Sequence, residues 1–124
     1  MDNPTSRQTF ERYLVSWSAI SAEERRRVLE ESVSPEIAYF DAMARLSGRD
    51  ALGAHLAGFQ QRRPHYSFAL AHYLQHGDAA LANWLMKDDS GKVVVRGYDS
   101  MSLDEAGRIA SIVGFSDVPA QGGG

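Results

Sequence analysis

Apolar positions recur at helical spacing through the first third of the chain. Phe10, Tyr13, Leu14 and Trp17 fall on one face of a helix predicted from Thr5 or Ser6 to about Ser18. A second helix starts at Ser21, where Glu24 completes a Ser-x-x-Glu capping box, and runs to about Val33. Ser34-Pro35 ends it, because the residue before a proline is pushed out of the helical region. Glu36–Asp41 reads as a short strand on the β propensity of Ile37, Tyr39 and Phe40. A loop over Ala42–Leu46 leads to a third helix, opened in capping-box fashion by Ser47-Gly48-Arg49-Asp50 and reaching about Gln61. Leu52, Leu56 and Phe59 are its buried stripe.

Beyond Pro64 the pattern is that of strands. Tyr66–His76, Ala79–Lys87, Lys92–Leu103 and Ile109–Phe115 are separated by short Gly- and Asp-rich turns and predict a meander of antiparallel hairpins. Turn length sets register, and register sets which side chains share a face. Pairing Lys87 with Lys92 and Leu103 with Arg108 places Ala80 and Ile112 opposite Asp99. A two-residue Gly77-Asp78 turn places Tyr73 beside Ala82 and Ala71 beside Trp84. One face then carries Ser67, Ala69, Ala71, Tyr73, Ala80, Ala82, Trp84, Met86, Gly97, Asp99, Met101, Ala110, Ile112 and Gly114. The other carries Phe68, Leu70, His72, Leu74, Leu81, Tyr98, Ile109 and Phe115.

Asp99 stands out, since a carboxylate and the nearby Gly97 are both disfavoured inside a strand. Local inconsistencies of this kind collect at functional or strained sites. The small residues around Asp99 leave room, and Trp84, Tyr73 and Met86 wall it, which predicts a mainly apolar pocket for a small hydrophobic molecule. Three helices cover only one face of such a sheet. The apolar character of the other face predicts a homodimer.

The 124 residues, 44% hydrophobic and 23% charged, are those of one globular domain, expected over residues 1–118 with a flexible tail at 119–124. A net charge of −3, with Arg25-Arg26-Arg27 set among glutamates, argues against nucleic acid and anionic membranes as partners. No cysteine is present, which removes thiolate chemistry and disulfides. No signal peptide or membrane-length apolar run occurs, so a cytoplasmic protein is expected. His72 and His76, four apart on a strand, lie roughly 13 Å apart and cannot share a metal. His55 is expected on the exposed side of the third helix and His65 in a loop, so no metal site is predicted. No phosphate loop, nucleophile elbow or dinucleotide fingerprint appears, and no cofactor is expected.

Two helices, a strand ending in Asp41, a third helix and a four-stranded meander resemble the nuclear transport factor 2-like superfamily over about Phe10 to Phe115. The run Arg96-Gly97-Tyr98-Asp99-Ser100-Met101-Ser102-Leu103-Asp104-Glu105-Ala106-Gly107-Arg108-Ile109 is similar to its SnoaL-like and ketosteroid-isomerase-like branches. The resemblance implies an α+β cone of cystatin-like shape, with three N-terminal helices on a strongly curved, mostly antiparallel sheet. It further implies that Asp99 and Tyr13 donate hydrogen bonds to a developing enolate, or that Asp99 is an acid/base, and that Asp41 shuttles the proton. Ala42 stands where the catalytic isomerases commonly have proline. The substrate-binding residues expected are Trp17, Phe59, Tyr73, Trp84, Met86, Met101 and Ile112. A proton-transferring isomerase or cyclase is thereby expected, and a non-catalytic binding or dimeric accessory domain would use the same pocket.

Overall fold

The computed structural model describes residues 5–117; the expected tail at 119–124, and residue 118 before it, lie outside this range. Three helices, α1 (Ser6–Val15), α2 (Ala22–Ser32) and α3 (Arg49–Arg62), accompany six strands. These are β1 (Val33–Phe40), β2 (Arg45–Ser47), β3 (Ser67–His76), β4 (Ala79–Lys87), β5 (Val93–Leu103) and β6 (Ile109–Ser116). The sheet order is β2-β1-β6-β5-β4-β3, antiparallel throughout except where β1 runs parallel to β6. This is the expected α+β cone, its curved sheet carrying the helices on one side.

Local signals explain most boundaries. Thr5 and Gln8 form a reciprocal capping box at α1. Ser21 accepts the Glu24 N–H at α2, whereas α3 begins at Gly48 with no side-chain cap, contrary to the capping-box reading of Ser47–Asp50. The segment expected as a loop contains β2, which pairs with Ala38–Phe40. Strand β1 starts at Val33 rather than Glu36. It tolerates Pro35 because its pairing to β6 is interrupted between Val33 and Ala38, where no ladder N–H is required. Two arginines close helix ends: Arg25 donates to the carbonyls of Ser16, Ser18 and Ile20, and Arg49 to those of Val33 and Glu30.

The register differs from expectation in an instructive way. In the β4–β5 and β5–β6 hairpins the turn and a bulge each add one residue, so partners move by two. Asp99 faces Ala82 and Gly114 instead of Ala80 and Ile112. An even shift keeps every side chain on its face. In β3 a single bulge at Ala71 shifts the pairing by one. Phe68 and Leu70 thereby turn inward in place of Ser67 and Ala69, and Tyr73 stays opposite Ala82. A bulge at Ala110 likewise brings Ile109 to the core.

The core lies between helices and inner face: Phe10, Tyr13, Leu29, Ile37, Tyr39, Leu52, Leu56, Met101, Ile109 and Ile112 are buried. The outer face is open. Leu74, Leu81, Tyr98, Phe115 and Phe40 are 40–57% exposed. Among the described residues no helix is long and apolar enough to cross a membrane.

Candidate functional site

Gly97 explains how Asp99 is equipped. Trp84 lies directly opposite Gly97, and its indole covers the glycine so closely that a Cβ there would sit 2.1 Å from Trp84 Cζ2 and 2.5 Å from the Phe115 carbonyl. Lying across the strand, the indole N–H reaches Asp99 Oδ1 at 3.2 Å. Gly114 is the second opening: a Cβ on it would be 3.1 Å from Asp99 Oδ1 and 3.4 Å from Asp41 Cβ. The two aspartates therefore flank one glycine, one on β5 and one just past the end of β1, the strands either side of β6.

Tyr13 projects from α1 into the same region and is fully buried. Its hydroxyl accepts the Trp17 indole N–H at 3.0 Å. Burial, then the nearby Asp99 charge, pushes the Tyr13 phenol well above its ordinary range. Asp99, only 8% exposed, has its carboxyl raised to about 7. Desolvation is the main cause; the Trp84 hydrogen bond opposes it, and the nearby Asp41 charge adds to it.

Asp41, just after β1, accepts the N–H groups of Met43 and Ala44 on Oδ1 and the Tyr39 hydroxyl, at 2.6 Å, on Oδ2. Tyr39 is itself buried, and its phenol is pushed far up by that burial and by the acids around it. His55 of α3 approaches Asp41 Oδ2 with Nε2 at 3.9 Å. It is half-buried against Trp17 and Tyr39 rather than exposed.

A chain of aromatic rings joins these groups. Trp17 contacts Tyr39, His55, Phe59 and Phe68, with centroid distances between 5.1 and 6.5 Å. Phe68 in turn meets Trp84 edge-on at 5.5 Å. Tyr13, Asp41 and Asp99 are thus brought together, with Trp17, Phe59 and Trp84 beside them. Met101 and Ile112 are core residues facing each other, Met86 sits behind Phe68, and Tyr73 lies further along, against Phe10 and hydrogen-bonded to Ser6. Phe68, Tyr39 and His55 belong to the site although the sequence reading did not place them there. Two of these were within reach: Tyr39 lies two strand residues before Asp41, and His55 is three after Leu52 and four before Phe59 on the buried stripe.

Among the described residues, the region where small residues suggested open space is lined by larger side chains. The bulge in β3 sends Phe68 and Leu70 inward, and aromatic rings occupy that region. A cavity of about 240 Å³ lies between α2 and α3, lined by Arg25, Leu29, Arg49, Gly53 and Ala54 among others, and touches none of the three acidic groups. Among the described residues no cluster of His, Asp and Glu could hold a metal ion.

Comparison with known proteins agrees with the architecture. The family model of the SnoaL-like domain matches residues 10–112, so the chain belongs to the SnoaL-like family. A SnoaL-like family protein from Agrobacterium tumefaciens, described as a candidate isomerase, superposes with a TM-score of 0.84 at 28% identity, covering 91% of this chain and 97% of that one. A candidate SnoaL-like polyketide cyclase from Jannaschia sp. has a TM-score of 0.69 at 17% identity, covering 94% and 90%. An NTF2-like protein from Cytophaga hutchinsonii has the same score at 11% identity, covering 94% and 95%. These last two likenesses concern the fold alone. No curated protein matches the sequence.

Proposed function

We propose that the protein binds a small hydrophobic carbonyl compound and moves a proton next to its carbonyl, without a cofactor, as an isomerase or cyclase. One observation carries this reading. Tyr13 and Asp99 each accept an indole hydrogen bond, yet among the described residues neither gives its own hydrogen to a protein acceptor. The phenol and the carboxyl are near enough for the Asp99 charge to act on Tyr13, and two free donors meeting one oxygen are the requirement for holding charge as an enolate forms. With its carboxyl raised to about 7, Asp99 keeps a neutral fraction near neutral pH. The proton acceptor belongs to the β1 side, where Asp41 lies. The rings of Trp17, Phe59, Phe68 and Trp84 are the apolar wall, and Phe59 and Phe68 must turn aside to admit a ligand.

The test uses 2-naphthol, a flat phenol whose oxygen imitates an enolate, in thermal-shift and fluorescence titrations. Wild type is stabilised and Tyr13→Phe binds at least about tenfold more weakly, a lost hydrogen bond to a charged group in a buried site. Equal binding by wild type and Tyr13→Phe, or no binding to either, rejects the donor pair.

A second reading, a binding or accessory domain without catalysis, is favoured by the position of the cavity away from Asp99. It predicts naphthol binding with no exchange of protons on a carbonyl substrate. In either case the outer face, where Leu74, Leu81, Tyr98 and Phe115 are exposed, is the proposed homodimer surface. Sedimentation of Tyr98→Glu against wild type tests it.

A further inference from the structure

Asp41 is held too firmly to approach a carbon acid itself. Both N–H bonds to Oδ1 build the turn between β1 and β2, and Oδ2 takes the Tyr39 hydroxyl. Moving the carboxylate onto a substrate would break these bonds and leave their donors unpaired. Among the described residues His55 has no such ties. Its Nε2 stands 3.9 Å from Asp41 Oδ2, and the two side chains are 18% and 19% exposed, at the rim of the site. Its ring is fixed from two sides, edge-on to Trp17 at 6.1 Å and 80°, and tilted against Tyr39 at 5.5 Å and 53°. Trp17 is the same residue that donates to Tyr13. The imidazole is therefore held by the indole that also holds the Tyr13 donor, with a carboxylate near one nitrogen.

We infer that His55 is the proton acceptor of the site and that Asp41 is its positioning residue, an assignment that rests on the proton-transfer reading above. A small approach of Nε2 to Oδ2 makes that nitrogen the donor and leaves Nδ1 as the basic nitrogen. Nδ1 takes the proton from the carbon next to the carbonyl. The C–H pair becomes the new C=C bond, and the carbonyl π pair moves onto oxygen, where Tyr13 and Asp99 hold it. Returning the proton to the same or a conjugated carbon completes the step, with no oxidant, reductant or further reactant. Among the described residues, the titratable groups in contact with His55 are Tyr39 on β1 and Asp41 just after it; Trp17, after α1, is neutral.

The experiment follows deuterium exchange into 2-tetralone, a flat bicyclic ketone, by proton NMR in D2O. Wild type exchanges the carbonyl-adjacent protons faster than buffer. His55→Ala loses about 100-fold or more, and added imidazole returns about tenfold of that loss. Asp41→Ala responds to neither imidazole nor acetate. His55→Gln, which keeps a polar side chain in the aromatic cradle, loses as much as His55→Ala while its circular dichroism and Tm stay near wild type. Rescue of Asp41→Ala by acetate, with His55→Ala unmoved by imidazole, overturns the assignment and makes Asp41 the base. So does exchange by both His55 variants at the wild-type rate. Wild type no faster than buffer is a different failure, which rejects the proton-transfer reading and this assignment with it.

Discussion

Asp99 and Asp41 flank the same glycine, yet their surroundings are opposite. Asp99 sits inside β5, where backbone N–H groups are engaged in the ladders to β4 and β6, so only the Trp84 indole is left to hydrogen-bond it. Asp41 sits one residue past the end of β1, where the chain turns and three donors converge on its oxygens. A strand interior withholds donors and desolvates; a turn supplies donors. One residue type thereby becomes a carboxyl pushed up to about 7 in one place and a fixed acceptor in the other. Pairs of groups whose environments separate their behaviour are what acid/base chemistry uses.

The largest expected effect tests the Asp99 side. Its folded carboxyl lies near 7 against an ordinary 3.8, so the native state retains a proton that the unfolded chain loses. That contribution is fully present below about pH 4 and is lost as the pH rises through 7. Relative to wild type, Asp99→Asn should therefore gain on the order of 4 kcal/mol between pH 4 and pH 8. Urea denaturation of both proteins across that range measures it. A difference independent of pH would mean that Asp99 is charged throughout.

Gly97→Ala comes next. The new Cβ meets the Trp84 ring and the Phe115 backbone, neither of which is free to yield. A cost of about 1–3 kcal/mol is expected, together with a changed near-ultraviolet circular dichroism signal as the indole moves. Retention of both stability and signal would show that Trp84 does not need the glycine.

On the Asp41 side, Tyr39→Phe removes one donor from a side chain that keeps two others, with an expected loss of about 1.5 kcal/mol in denaturant. A loss well above that would place the Tyr39 hydroxyl in a larger network. The smallest effect belongs to Gly114→Ala. Its Cβ contacts at 3.1 and 3.4 Å ask the neighbours to give by only tenths of an ångström. A change under about 1 kcal/mol is expected, accompanied by a shift of the Asp99 titration seen by carbonyl-carbon NMR. No shift would separate the two carboxyl groups more than the shared glycine implies.

Much of the architecture was legible because it depends on local chemistry. Phe10, Tyr13 and Leu14 mark α1 by their spacing, and they are buried as expected. The turns at Asp88–Lys92 and Asp104–Arg108 share one construction: the aspartate accepts two N–H groups, and Gly91 or Gly107 takes the positive φ. Asp99 could be assigned to the inner face before its partners were known, because the two hairpins slip by an even number. The inward turn of Phe68 was not legible, because one bulged residue at Ala71 reverses every side chain beyond it and leaves no composition signal.

The sequence by itself determined the order of the helices and of every strand but β2, the helix-covered face and the presence of a carboxyl group within it, since periodicity and turn residues act over a few positions. The tertiary structure alone decided that Gly97 admits an indole across β5, that Gly114 sits between Asp99 and Asp41, and that His55 approaches Asp41 from α3. Those relations join residues far apart in the chain. They arise from packing of elements whose bulges and crossings no local rule encodes.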